Sequence, residues 1–212
     1  MSLFDFILHD GACAFSDLHD AELPISVVVA VFCSHVLTWS LVLLPLLFVA
    51  TCTKRFFLLT VAVLSDKLVN VGLKQLFRIP RPERSCLNDY GMPSGHAQHT
   101  AFLCTLSIGY AYIQYRKRVR CKKICGVDQS VVVNARSEND ATDSKYKMAR
   151  RSLTWLTIVC VCFSVCVCMS RVILYHSTIG QVCVGYTVGI LVALLVQIPL
   201  RRCLFVRHDG GD

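Results

Sequence analysis

Apolar residues run in blocks along this chain, and polar residues collect between them. Five blocks stand out: Ile25–Ala50, Phe56–Phe77, His96–Tyr115, Ser152–Ser170 and Thr178–Leu200. Each is near or above the roughly 20 residues that a helix needs to cross a bilayer. The pattern predicts an all-α, multi-span transmembrane helix bundle with five spans. Pro45 sits inside the first block and predicts a kink there. The short apolar patch Leu3–Leu8 offers a sixth helix, lying on the membrane surface. Residues 1–24 then form an N-terminal segment, 25–200 a single membrane domain with the polar loop 116–151 inserted, and 201–212 a tail. In the fifth span, Gly185 and Gly189 stand four apart, a spacing that lets two helices approach closely.

Polar positions inside the apolar blocks change the picture. Asp66, Asn70 and Lys74 recur every fourth residue and share one helix face. Charges within a span are costly and mark either a pairing or a functional pathway. Arg78, Arg81 and Arg84 follow, with Pro80 and Pro82 ending the helix. The next block opens on Gly91–Thr100, GMPSGHAQHT. Pro93 suits a helix start, and Ser94 and Gly95 let backbone approach a ligand. A helix beginning there turns free N–H groups towards an anion, with His96 beside them. Arg171 and His176 close the fourth block on the same membrane face. Taken singly, each of these groups reads as an ordinary cap or a snorkelling side chain. Together, three separate segments bring Lys74, Arg81, Arg171, His96 and His176 to one mouth, which points to an anionic ligand.

Composition fixes the solvent and the orientation. Hydrophobic residues make up 54% of the 212, and charged ones 17%. The net charge of +8 could suggest nucleic acid, but most of the 22 Lys and Arg residues flank apolar blocks. They gather after the first span, in 116–151 and in the tail, which alternation puts on one side. By the positive-inside tendency that side is cytosolic, and the mouth faces a lumen or the exterior. Residues 1–24 carry Asp5, Asp10, Asp17, Asp20 and Glu22 but no Lys or Arg, unlike a cleaved signal peptide. The centre of the 116–151 loop, SVVVNARSENDATDS, reads as mobile and solvated. Of the 13 cysteines, Cys160, Cys162, Cys166 and Cys168 share one span and act as small apolar residues. Cys121 and Cys125 lack the second pair that zinc needs. Cys13 and Cys86 are the lumenal pair that a disulfide would join. No metal and no cofactor is expected.

Lys74-x6-Arg81-Pro82, then Pro93-Ser94-Gly95-His96, then Ser170-Arg171 followed by His176, resembles the three-part signature of the type 2 phosphatidic acid phosphatase superfamily. Within it, Asn70, Tyr90–Gln98 and the segment SRVILYHSTIGQVCVG are most similar to the dolichyl diphosphatases. Two features depart from the superfamily pattern. His176 stands one residue closer to Arg171 than usual, with Val172–Tyr175 between them. The Asp that usually partners that His is replaced by Gly180, with Gln181 next; dolichyl diphosphatases are similar in using Gln. On a continuous helix one residue is about 100° of rotation, so the backbone between Arg171 and Gln181 must be bent or unwound to re-aim the ring.

The resemblance implies a lipid phosphatase that works through a phosphohistidine. His176 is then the nucleophile and His96 the general acid and base. Lys74, Arg81, Ser94, Gly95 and Arg171 bind the phosphate, Asn70 and Gln181 support the site, and a carbonyl or amide oxygen, that of Gln181 being one candidate, accepts the second ring N–H of His176. The substrate implied is dolichyl diphosphate, hydrolysed at the lumenal face of the endoplasmic reticulum to recycle the carrier for protein N-glycosylation. Alternatives are another lipid phosphate (phosphatidate, a sphingoid phosphate or a shorter polyprenyl diphosphate), a transporter with Asp66, Lys67 and Lys74 as its pathway, and a pseudo-enzyme in which the shifted His176 is inactive.

Overall fold

A computed structural model describes residues 39–83, 85, 89–128 and 136–205. Among them are five helices: α1 (Trp39–Thr51), α2 (Lys54–Phe77), α3 (Gly95–Asp128), α4 (Arg136–Ile173) and α5 (Ile179–Phe205). The described residues form no strand beyond one isolated antiparallel bridge, Pro80 to Tyr90. The sequence positions of Leu3–Leu8, Cys13, Arg84 and Cys86, and the first half of the predicted first span, lie outside the described residues.

Among the described residues, three helices are long and apolar enough to cross a membrane: Phe56–Phe77, Lys147–Ile173 and Ile179–Pro199. At about 1.5 Å per residue each covers a hydrocarbon core of roughly 30 Å. This is fewer than the five spans the apolar pattern predicts. The described part of the first span is the short apolar helix α1, with Pro45 inside it. The third, α3, is too polar to qualify on composition because Gln98, His99 and Thr100 open it. Its position explains why that polarity is tolerated. α3 packs most extensively on α5, then on α4, and also touches α2, so its polar residues meet protein. Gln98, His99 and Thr100 are all fully buried.

The distribution of side chains is the reverse of a soluble domain. Leu68, Leu76, Trp155, Ile179 and Leu195 lie exposed on the outside. Asp66, Asn70, Gln98, His99, Ser164, Arg171, His176 and Gln181 are buried. A lipid solvent rewards that arrangement, because apolar exteriors cost nothing there and polar groups need protein partners. The small apolar core is Ala62, Val63, Phe102, Leu106 and Ala193. Gly185 and Gly189 give the closest helix contact. A Cβ on Gly185 would come within 2.5 Å of the Ser94 carbonyl oxygen, and one on Gly189 would overlap that of Gln98. Bare backbone at these two positions lets α5 lie directly on the start of α3.

The predicted loop 116–151 is largely helical. α3 continues to Asp128 and α4 begins at Arg136, so residues 116–128 and 136–151 lie within two long helices. Residues 136–151 contain neither Pro nor Gly. A charged run without a breaker extends a helix out of the membrane, since helix hydrogen bonds are local and water tolerates its side chains. Cys52, Cys104, Cys160, Cys162, Cys166, Cys168 and Cys183 are free thiols.

Candidate active site

α2 ends in a left-handed turn at Arg78 (φ 50°), whose N–H donates to the Lys74 carbonyl at 3.0 Å. Pro80 and Pro82 then prevent the helix resuming. The chain doubles back, and Gly91 N–H donates to the Ile79 carbonyl at 2.9 Å beside the Pro80–Tyr90 bridge. Ser94 stands at the N-cap of α3, with Gln98 N–H donating to its carbonyl at 3.0 Å.

α4 stops two residues after Arg171. Its end is a Schellman motif: His176 N–H donates to the Arg171 carbonyl and Tyr175 N–H to that of Val172, both at 3.1 Å. Tyr175 takes the left-handed position (φ 54°) that glycine usually fills. Ser177 N–H adds a second bond to the Arg171 carbonyl at 3.1 Å. The segment after Arg171 is therefore unwound, as the shortened spacing to His176 requires. The buried His176 lies on this corner, outside any helix.

α5 opens with a capping box. Gln181 N–H donates to Thr178 Oγ1 at 3.3 Å, and Thr178 N–H donates to Gln181 Oε1 at 3.0 Å. This corrects the expected role of Gln181. Its amide oxygen serves the helix start, and its amide nitrogen donates to the Pro80 carbonyl at 2.9 Å. Both ends of the side chain are committed away from the His176 ring. Gln181 instead ties the loop after α2 to the first turn of α5.

Further bonds knit the three motif segments together. Arg81 Nη1 donates to the His176 carbonyl at 2.6 Å. Ser94 N–H donates to the Gln181 carbonyl at 3.1 Å, and Ser177 Oγ donates to Ser94 Oγ at 3.2 Å. The Ser94 N–H, expected to face a phosphate, is spent on α5. The N–H of Gly95 belongs to the first turn of α3, where intrahelical partners are lacking. A Cβ on Gly95 would come within 3.1 Å of Asn70 Oδ1, so the missing side chain lets α3 start against α2. His96 lies partly buried in the first turn of α3. Arg171 is 2% exposed in the last turn of α4, where the helix dipole favours a cation.

Each residue of the Asp66–Asn70–Lys74 stripe meets partners outside its own helix. Asp66 Oδ2 lies 2.9 Å from His99 Nδ1, and Asp66 Oδ1 accepts from Gln98 Nε2 at 2.9 Å. Asn70 Nδ2 donates to Gln98 Oε1 at 2.8 Å and, more weakly, to the Pro93 carbonyl at 3.4 Å. Lys74 Nζ donates to Asp89 Oδ2 at 2.6 Å. The charges of the stripe thus pair with α3 and with the 89–91 turn, not with one another.

Two participants escape a motif-based reading. His99 bridges α2 to α1: its Nε2 is 2.8 Å from Ser40 Oγ. A carboxylate only accepts, so Nδ1–H donates to Asp66, and the neutral ring then accepts the Ser40 hydroxyl proton. The order Ser40–His99–Asp66 is that of a hydrolytic triad. With His99 and Asp66 each 1% exposed and bonded on to Gln98 and Asn70, it serves as a strut. The signal was available, since an Asp inside a span needs a buried partner. The other participant is Asp89, which accepts from Lys74 and from Arg81 Nε and Nη2. Its signal was an acid five residues beyond Arg84, the last of a group of cations.

The PAP2 superfamily model matches residues 55–202, from α2 through α5. The chain belongs to the PAP2 superfamily. That match covers all three motif segments and makes this a membrane protein with the hydrolase chemistry of lipid phosphatases. Searches of curated proteins and of solved structures returned no match.

Proposed function

We propose that this PAP2 protein hydrolyses dolichyl diphosphate to dolichyl phosphate and inorganic phosphate, with the site facing the lumen of the endoplasmic reticulum. The observation that carries the reading is the bonding of Arg81 to His176 and of Ser94 to Gln181, which joins all three signature segments at one mouth. The likeness of Tyr90–Gln98 and of the segment around His176 to dolichyl diphosphatases supports the substrate. The distribution of basic residues supports a five-span layout with this mouth opposite the cytosol.

In the proposed reaction a ring nitrogen of His176 attacks the terminal phosphorus, and the bond to the bridging oxygen breaks. His96 gives its proton to the departing dolichyl phosphate. It then takes a proton from water, which attacks the phosphohistidine and releases phosphate. Lys74, Arg81 and Arg171 stabilise the charge that spreads over the phosphoryl oxygens, and Gly95 N–H adds a donor at the α3 start. These side chains supply the positive charge that a metal would otherwise bring, so turnover should survive chelators.

The test is phosphate release by purified protein from dolichyl diphosphate, phosphatidate and farnesyl diphosphate. Dolichyl diphosphate should be preferred. His96→Ala should lose about 10²–10⁴-fold in turnover, and His176→Ala should be inactive. Preference for phosphatidate would leave the superfamily chemistry and remove the dolichyl substrate. Full turnover by His176→Ala would remove the nucleophile.

A further inference from the structure

The two cations of the first motif are not waiting open; a carboxylate of the chain already sits on them. Asp89 Oδ2 accepts from Lys74 Nζ at 2.6 Å and from Arg81 Nη2 at 3.1 Å, while Oδ1 accepts from Arg81 Nε at 2.5 Å. This is a bidentate fork on the guanidinium with an ammonium sharing one oxygen. A phosphoryl group asks the same of such a pair, and the Asp89 oxygens stand in for two phosphoryl oxygens.

The placement is built by the fold. Tyr90 pairs with Pro80, and Gly91 N–H donates to the Ile79 carbonyl at 2.9 Å. A Cβ on Gly91 would come within 2.6 Å of Gln181 Nε2 and 3.0 Å of Arg81 Cγ, so only glycine lets the turn lie this close. The backbone of Asp89 is therefore fixed one residue from a bridge. Its side chain is 52% exposed, whereas those of Lys74 and Arg81 are 18% and 13% exposed. The carboxylate is the movable, solvent-side member of the cluster. Arg81 keeps its bond to the His176 carbonyl at 2.6 Å, so it stays in place if Asp89 swings away.

We propose that Asp89 is a resident anion of the phosphate site, which bridges Lys74 and Arg81 and sets the charge that a ligand must carry to displace it. The inference rests on the phosphate-site reading above and adds a determinant of specificity to it. A terminal diphosphate, with several negative oxygens, competes well. Inorganic phosphate competes less well, so the product leaves readily. Partial burial opposes ionisation of Asp89, yet the hydrogen bonds and charges of Arg81 and Lys74 outweigh it and keep the acid below its ordinary range. The competitor is thus charged at any working pH.

The experiment measures inorganic phosphate affinity of the full-length protein in detergent by titration calorimetry, for the wild type, Asp89→Asn, Asp89→Ala and Asp89→Glu. Thermal unfolding confirms that each variant is folded. Asp89→Asn and Asp89→Ala should bind phosphate about tenfold more tightly. Asp89→Glu, which restores the charge, should return to near the wild-type value. Equal or weaker phosphate binding in both neutral variants would overturn the proposal and leave Asp89 as a mere strut. Absence of phosphate binding in all four proteins, together with absence of dolichyl diphosphate turnover, would remove the underlying phosphate site and this inference with it.

Discussion

Two aspartates of this chain each bind basic partners, and they differ in almost everything else. Asp66 is 1% exposed, midway along α2, and holds His99 and Gln98 of α3. Asp89 is 52% exposed on the turn before α3 and holds Lys74 and Arg81. The bonds are of similar length, so geometry does not separate the two. Solvent does. Removing a partner from a buried pair strands charge or donors in a low dielectric, whereas water fills the gap at an exposed one. The deep cluster should therefore govern folding, and the shallow one should govern which anion is held.

The largest expected effect tests the deep half of that contrast. Asp66→Ala leaves His99 Nδ1–H without an acceptor and Gln98 Nε2 with only the residue-66 carbonyl, and should cost about 3–5 kcal/mol in unfolding free energy. A loss under about 1 kcal/mol, measured by chemical denaturation in detergent, would erase the distinction. Next comes Gly189→Ala. Its new methyl meets the Gln98 backbone oxygen, which cannot step aside as a side chain would, and about 1–3 kcal/mol should be lost. Gly185→Ala should behave similarly and also lower turnover, because it presses on Ser94 at the mouth. Gln181→Ala, which removes the capping box and the tie to Pro80, should cost roughly 1 kcal/mol and reduce activity more than stability.

The smallest effect belongs to Asp89→Asn, below about 1 kcal/mol because the pair is half exposed. Its pH dependence follows from the direction of the shift. Asp89 lies below its ordinary value of 3.8, so its contribution is present above that value and lost as pH falls through the lowered one. The stability difference between Asp89→Asn and the wild type should stay flat from about pH 5 to 8 and shrink only in stronger acid. A difference that grows on acidification would contradict the assigned ion pair.

The apolar blocks were legible because a bilayer demands long, uninterrupted runs, and α2, α4 and α5 follow them closely. Where the runs ended, reading became harder. A switch from oil to charge at residue 116 marks the membrane surface, yet the helix bonds continue through it, so solvent exposure was mistaken for a loop. The polarity of α3 misled in the opposite direction. Its start is polar because α2 and α5 cover it, and burial by neighbours is invisible in a linear pattern.

The candidate site divides in the same way. Lys74, Arg81, Ser94, Gly95, His96, Arg171 and His176 could be named from residue spacing. Their partners could not, since spacing does not say which amide or carboxylate meets which donor across the bundle. Gln181 was one candidate partner for His176 on that account, although Thr178-x-x-Gln181 is a helix-start signature readable in the chain itself. Asp89 and His99 were missed for a simpler reason: each flanks a motif without belonging to it. Asking what balances every charge placed in or near the membrane would have found both.

The left-handed corner at Tyr175 has one last consequence. On a rigid rod, the azimuth of a side chain is counted out residue by residue, and losing one position would swing an imidazole by a little over a quarter turn. A corner resets that count. The distance in sequence between Arg171 and His176 is consequently a poor ruler for this loop, and relatives with longer or shorter connections are better aligned by where one rod stops and the next begins.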